Sequence, residues 1–232
     1  MRVTSLQYPR KSHRKIVRLP KDSVQLAELM GIVFGDGGIN NPWQLVISLN
    51  AEADIEYKEY VSSLLSNLFG IDVAIRKRPR QKTVVVVASS TTLVDFLVEK
   101  GAARGNKVAQ QISVPSWIRE NFTFEKAFVR GVVDTDGCLY IHKHTVKKRH
   151  YEHVGFCFTS CSLKLIEDVA TILKKAAIKP HIADDGRRIY LYSYKAVERY
   201  VEIFGSSNPR ILTILQLWWD GRAVDGARLE SV

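Results

Sequence analysis

Two aspartates, Asp36 and Asp136, stand about a hundred residues apart, each directly before a glycine and at the end of an apolar run. The stretch Leu29 to Gly37 aligns without gaps on Val129 to Gly137. Read as helices, both stretches place the acid at the C-terminal end, where the macrodipole is already negative and an anion is disfavoured. The same breach of helix preference in two places calls for a cation between the carboxylates. Hard oxygen ligands of this kind suit Mg²⁺, which keeps several waters and takes further ligands from phosphate. A cation held there could activate water beside a phosphate. Each helix also has small residues spaced by four, Gly31 and Gly35 in the first and Gly131 and Thr135 in the second. These allow two helix backbones to approach closely.

The elements that must position the acids are themselves duplicated. A second stretch, Val86 to Gly101, aligns without gaps on Tyr190 to Gly205, pairing Ser89 with Ser193 and Phe96 with Tyr200. In the first unit, Asp22-Ser23 reads as an N-cap for a helix that ends at Asp36-Gly37-Gly38, where glycine gives the freedom of a C-terminus. Gln44 to Leu49 reads as a strand, and Asp54 to Phe69 has helical spacing. Val73 to Ile75 and Thr83 to Ala88 form a hairpin, followed by a helix from Thr91 to Lys100. The second unit repeats this with a helix from Phe124, strands at Cys138 to His142 and Val154 to Ser160, and a helix from Leu163. A hairpin from Ile178 to Tyr192 and a helix from Lys195 complete it. The expectation is an α+β fold of two αββαββα repeats packed through the two motif helices. Its boundaries are a basic N-terminal arm at 1–19, repeats at 20–118 and 119–215, and a C-terminal tail at 216–232, with the linker near Val114 to Trp117.

Composition narrows the partner. The chain has 232 residues, 46% of them hydrophobic, which suffices for a packed core and excludes wholesale disorder. Lys and Arg number 34 against 24 Asp and Glu, for a net charge of +10, which suits a polyanion. The basic residues cluster: Arg2, Arg10, Lys11, Arg14, Lys15 and Arg18 near the start, Arg76 to Lys82, Lys143 with Lys147 to Arg149, and Arg187-Arg188. The last three clusters fall between strand-like segments, as exposed hairpin turns do. No apolar run is long enough for a bilayer, and the start is too polar and basic for a secretory leader. Three cysteines, Cys138, Cys157 and Cys161, have no disulfide-scaffold spacing, so an intracellular, reducing location (cytoplasm, nucleoid or organelle interior) is expected.

The two motif stretches resemble the LAGLIDADG motif of homing endonucleases in its single-chain, two-motif form, and the resemblance spans roughly residues 20 to 215. It implies that the sheets form a DNA-binding saddle along the major groove and that Asp36 and Asp136 are the catalytic, metal-binding acids. Gly35 and Thr135, directly before them, complete the implied metal set for Mg²⁺. Both strands of a long duplex target would be cut across the minor groove by a monomer, leaving short 3′ overhangs. Phe34 stands where the family often has an acid that Asp134 keeps, a position read as interface or capping. The Gln and Lys often found at the end of the second strand are missing, since Leu49-Asn50 and Ser160-Cys161 stand there. Lys107 and Arg210, in the loops after the last helix of each unit, are the auxiliary cations that the resemblance offers, with solvated loop charges or backbone contacts to DNA as the alternative. Groove-facing residues are expected at Gln44, Val46, Ser48, Arg76, Arg78, Arg80, Lys82, Tyr140, His142, Lys143, Arg149, Arg187, Arg188 and Tyr190.

Other readings carry less. Cys138, Cys157 and Cys161 with His142, His150 and His153 could be imagined around zinc, but buried cysteines and hairpin histidines account for them better. Trp218-Trp219 reads as core packing rather than a base-stacking platform. The valines Val84 to Val87 read as core, or with outward members touching thymine methyls. The N-terminal arm reads as order-on-binding against phosphates. The rival function is a non-cleaving nucleic-acid-binding relative, an RNA maturase or transcriptional regulator. An intein is disfavoured by the short chain, which lacks a nucleophile at residue 1 and a His-Asn ending.

Overall fold

The computed structural model describes residues 15–146, 149–214 and 216, with the backbone alone for 142–146 and 149–153. In the first half, α1 (Val24–Gly35) leads to β1 (Gly37–Asn41), β2 (Gln44–Asn50), α2 (Tyr57–Phe69), β3 (Val73–Lys77), β4 (Thr83–Ser89) and α3 (Thr91–Glu99). Two short helices, α4 (Lys107–Gln110) and α5 (Ser116–Arg119), bridge the halves. The second half runs α6 (Phe122–Asp136), β5 (Gly137–Val146), β6 (Arg149–Thr159), α7 (Leu163–Lys175), β7 (His181–Ile182), β8 (Arg188–Leu191) and α8 (Tyr194–Ile203). Each half is thus αββαββα. The two sheets have the same antiparallel order, β1-β2-β4-β3 and β5-β6-β8-β7.

Local chemistry explains the helix starts. Ser23, Ser90, Asn121, Ser162 and Ser193 each accept a backbone N–H of the first helical turn through the side chain. Each such bond satisfies a donor that the helix itself leaves open. Along β2 the alternation is clean: Leu45, Ile47 and Leu49 are buried in the core, while Gln44, Val46, Ser48 and Asn50 face the other way. Val84, Val86 and Ala88 of β4 join that core. Val85 and Val87, on the opposite face, are 7% and 6% exposed and lie outside the core cluster.

The two halves meet through α1 and α6. A methyl added at Gly31 would lie 2.2 Å from the carbonyl oxygen of Phe128, and one at Gly131 would lie 2.3 Å from that of Glu28. Backbone stands against backbone there, so no side chain fits. The edge-on ring pair Phe34–Phe128, with centroids 5.2 Å apart, packs beside this contact.

Several expectations need correction. The glycines after the acids do not supply left-handed freedom, because Gly37 and Gly38 lie in β1 and neither has a positive φ. Gly37 is required because a methyl there would sit 2.5 Å from the Cα of Val33, and Gly137 repeats this against Val133. The cysteines are not buried: Cys138 and Cys161 are exposed and Cys157 is half-exposed. Cys138 and Cys157 are directly opposed on β5 and β6, on the solvent side of that sheet. The arm does not stay free up to residue 19. Val17 is buried, and Arg18 bonds the carbonyls of Phe69 and Asn67 at the end of α2. Residues 1–14 and Trp218-Trp219 lie outside the described residues.

Candidate active site

Close packing of α1 on α6 carries both acids to the same end of the helix pair. Asp36 caps α1 and donates its backbone N–H to the carbonyl of Ile32, while Asp136 is the last residue of α6. A methyl on Gly35 would lie 1.9 Å from Thr135 Oγ1 and 3.4 Å from Asp136 Oδ2, so the residue before each acid abuts the other helix. The Thr135 hydroxyl bonds back to Gly131 and Val132 carbonyls, which keeps it within its own helix. Burial, then the neighbouring carboxylates of Asp136 and Asp54, raise Asp36 from 3.8 to about 7 against the opposing pull of Lys107 and Arg210. Burial raises Asp136 to about 6, with Lys107 opposing. The two carboxylates repel each other, so the pair gives up its protons in two steps.

Each acid opens into its own hollow, and each hollow also holds the residue before the other acid. The Asp136 hollow, of about 310 Å³, is lined by Gly35, Lys107, Cys161 and the apolar walls Phe34, Val108 and Ile112. The Asp36 hollow, of about 340 Å³, is lined by Thr135, Asn50, Asp54, Lys82 and Arg210. Loop residues from each repeat thus serve the acid of the other: Lys107 with Asp136, and Arg210 with Asp36. Lys107 Nζ donates to the carbonyls of Val33, Phe34 and Gly35 at 3.3, 3.0 and 2.5 Å. It closes the open end of α1 with a cation, where the dipole favours one. Burial lowers its pKa, opposed by the two aspartates.

A buried polar network continues from the Asp36 hollow along the helix pair. Asp134 accepts from the Ser206 hydroxyl at 2.5 Å and from the Ser207 N–H at 2.7 Å, holding the loop after α8. The position read as interface or capping therefore caps that loop, and Phe34 replaces it with ring packing. Burial raises Asp134 to about 7 against these two bonds. The Ser207 hydroxyl donates in turn to Glu28, which is 2% exposed and also takes Tyr60 Oη and Arg130. Asn208, fully buried, donates to Asp54 Oδ1 and to the Asp134 carbonyl. Glu28, Asp54 and Asn208 were not anticipated. The signal available for Asp54 was its place four residues after the strand-end Asn50.

Gln44, Val46 and Ser48 share the outer face of β2, with Gln44 bonded to Ser89 and the Ser48 N–H donating to the Asp36 carbonyl. Arg76, Arg78, Arg80 and Lys82 are exposed around the β3–β4 turn, and Lys82 pairs with Glu52. On the second sheet Tyr140 lies over Gly155, and Tyr190 stacks on Tyr192, which is 61% exposed. His181 packs against Tyr192, so this face carries an aromatic row that sequence reading caught only in part. Arg187 and Arg188 are exposed, with Arg188 held by Asp185. The side chains of His142, Lys143 and Arg149 lie outside the described residues, as do those of His150 and His153. Among the described residues no group of three or more His, Cys, Asp or Glu is placed to hold a metal, and the side chains of His142, His150 and His153 of the imagined zinc set lie outside those residues.

An antiparallel sheet pair joined by a close helix pair, with one acid from each helix, defines a class. Residues 123–211 match the family model described as LAGLIDADG-like domain. No curated protein matches the sequence. Among solved structures, I-DmoI in complex with DNA and Mn is 18% identical, with a TM-score of 0.54 over 80% of this chain and 98% of that one. The LAGLIDADG homing endonuclease I-LtrWI, bound to target DNA, is 12% identical, with a TM-score of 0.57 over 87% and 92%. Full-length DUF199/WhiA from Thermatoga maritima is 17% identical, with a TM-score of 0.53 over 92% and 69%. Residues 123–211 are thus similar to the LAGLIDADG-like domain, and the chain as a whole shares its fold with these LAGLIDADG homing endonuclease structures.

Proposed function

We propose that this chain is a site-specific, double-strand DNA endonuclease that acts as a monomer on a long target and leaves short 3′ overhangs. The observation that carries the reading is the pairing of two hollows, each with an acid from one motif helix and a cation from the other repeat. A pseudo-twofold pair of centres matches the two strands of a duplex. The outer sheet faces, with Gln44, Val46 and Ser48 on one and Tyr140 and Tyr190 on the other, would lie along the major groove, flanked by the exposed arginines of the hairpin turns.

The residues present fit a divalent cation. Two carboxylates whose protons are retained towards neutrality by burial and mutual repulsion form a site that a cation would discharge. Asp36 and Asp136 would hold it, and the Gly35 carbonyl would join them only on release from Lys107 Nζ. When bound, Mg²⁺ supplies an acidified water and neutralises charge on the phosphate. Lys107 and Arg210 would bring positive charge to the scissile phosphate, and Lys107 does so from a position fixed by three carbonyls. The Asp136 hollow has apolar walls in Phe34, Val108 and Ile112, whereas the Asp36 hollow is lined mainly by polar residues.

The test is incubation of the parent, Asp36→Asn and Asp136→Asn with a duplex library and Mg²⁺. Cleavage by the parent, lost in either variant while duplex binding persists, is expected. Binding without metal-dependent cleavage by the parent would instead place the chain with non-cleaving nucleic-acid-binding relatives.

A further inference from the structure

The two hollows are built alike but supported differently, and the difference lies in Asp54. This residue follows β2 and is 7% exposed. Its Oδ2 accepts the Asn50 N–H at 3.0 Å, and its Oδ1 accepts Asn208 Nδ2 at 2.9 Å. The same Oδ1 lies 3.5 Å from Arg210 Nε, a buried donor without a hydrogen-bond partner among the described residues, and the Arg210 charge also acts on Asp36. Asn208 fixes the other end of the arrangement, since its Oδ1 accepts the Arg210 N–H at 3.0 Å and its Nδ2 also reaches the Asp134 carbonyl. The main chain of Arg210 is therefore tethered by Asn208, while its side chain pairs in charge, without a hydrogen bond, with a carboxylate from the opposite repeat.

Nothing equivalent serves the Asp136 hollow. Lys107 is held by main-chain carbonyls, and no described carboxylate forms an ion pair with it. Where the first repeat has Asn50 to Asp54, the second has Ser160, Cys161 and Ser162, and Ser162 spends its hydroxyl on capping α7 and on the Ile112 carbonyl. A guanidinium on a long stem loses rotamer freedom whenever it grips a phosphate, and a buried carboxylate at Nε removes that freedom beforehand.

We propose that Asp54 is a positioning residue that aims Arg210 into the Asp36 hollow, so that the two strands of one duplex are cut by differently supported centres. The inference rests on the endonuclease reading above. Asp54 does its work through Arg210 and not by touching DNA, because it is buried and carries the sign that phosphate repels. Its loss therefore affects the cutting rate of one strand and leaves duplex affinity alone.

The experiment is single-turnover cleavage, in Mg²⁺ and at saturating protein, of a selected target labelled separately on each strand. The parent, Asp54→Asn, Arg210→Met and the double variant are compared, with metal-free duplex affinity measured alongside. Asp54→Asn keeps the size of the side chain but sets its amide N–H against one of two donors, Asn50 N or Asn208 Nδ2, so thermal melting of each variant is recorded as the fold control. Both single variants should slow the same strand about tenfold or more, with the other strand within about twofold and affinity within about threefold. The double variant should be no slower than Arg210→Met, because once Arg210 is gone Asp54 retains only its repulsion of Asp36, which asparagine relieves. Equal slowing of both strands, or further slowing in the Arg210→Met background, would mean that Asp54 merely holds the fold and would overturn the proposal alone. If the parent cuts neither strand of any duplex, the endonuclease reading and this inference fall together.

Discussion

Replacing Asp36 by asparagine should stabilise the protein, and by an amount that grows with pH. The Asp36 carboxyl is raised from 3.8 to about 7, roughly three pH units, chiefly by burial and then by Asp136 and Asp54. At about 1.4 kcal/mol per unit, the ceiling is on the order of 4 kcal/mol. Part of that is repulsion from carboxylates that share the site, so about 2–4 kcal/mol is expected. The sign follows from linkage. The folded state holds this proton more tightly than the unfolded chain does, so stability falls as pH climbs from about 4 to about 7 and then levels. Asparagine carries no such proton, and it also relieves the anion at the end of α1. Urea unfolding of parent and Asp36→Asn in chelator, between pH 5 and 8.5, should therefore show curves that diverge with rising pH. Mg²⁺ added at pH 8 should close much of the gap by stabilising the parent, since a ligand of the folded state adds to its stability. A variant whose gain is the same at pH 5 and 8.5, or absent at both, would refute the assignment of a buried, repelled carboxylate to this position.

Further outcomes follow from the same contacts. Gly131→Ala places a methyl 2.3 Å from the Glu28 carbonyl oxygen, backbone against backbone. It should cost at least about 1–3 kcal/mol by denaturant titration, and an unchanged midpoint would mean the helices are not so close. Lys107→Met removes the cation from three carbonyls at the end of α1 and should lower stability by about 1–3 kcal/mol. Lys107→Arg should recover part of it, and a fully stable Lys107→Met would show that solvent serves those carbonyls as well. Tyr192→Ala should leave thermal stability unchanged, because the ring is 61% exposed. Duplex affinity should nevertheless drop about fivefold, roughly 1 kcal/mol, if the aromatic row meets DNA, and titration with a labelled duplex decides it.

Much of the architecture was legible because duplication leaves a mark that single motifs do not. The stretch around Asp36 and that around Asp136 keep glycine wherever backbone meets backbone, at Gly31 and Gly131 and again at Gly37 and Gly137. Those constraints act within a few residues of the acids and so appear as a local pattern. The helix starts were legible for the same reason, since Ser23 and its counterparts cap their own helices. Asp54 was not legible: its bond to Asn208 joins residues 154 apart in the chain, across the interface of the two repeats. No local period predicts such a pair. The cysteines misled because a thiol is usually a core residue, whereas the alternation of β5 and β6 turns Cys138 and Cys157 outward beside Tyr140.

The same geometry shows where the two centres differ. Gly35 and Thr135 stand opposite each other, and a methyl on Gly35 would lie 1.9 Å from the Thr135 hydroxyl. At that layer one helix must lack a side chain, so a hydroxyl is affordable on one side only, and the two walls differ at once. The loops that follow α3 and α8 are under no such mutual constraint, because each meets the end of its own motif helix separately. One therefore settled on an ammonium bonded to the carbonyls of Val33 to Gly35, and the other on a serine pair bonded to Asp134. With Asp134 committed to that loop, Asn208 and Arg210 are carried to Asp54 of the other repeat. Symmetry is held where helix touches helix and released in the loops, which is where the two hollows acquire their different cations.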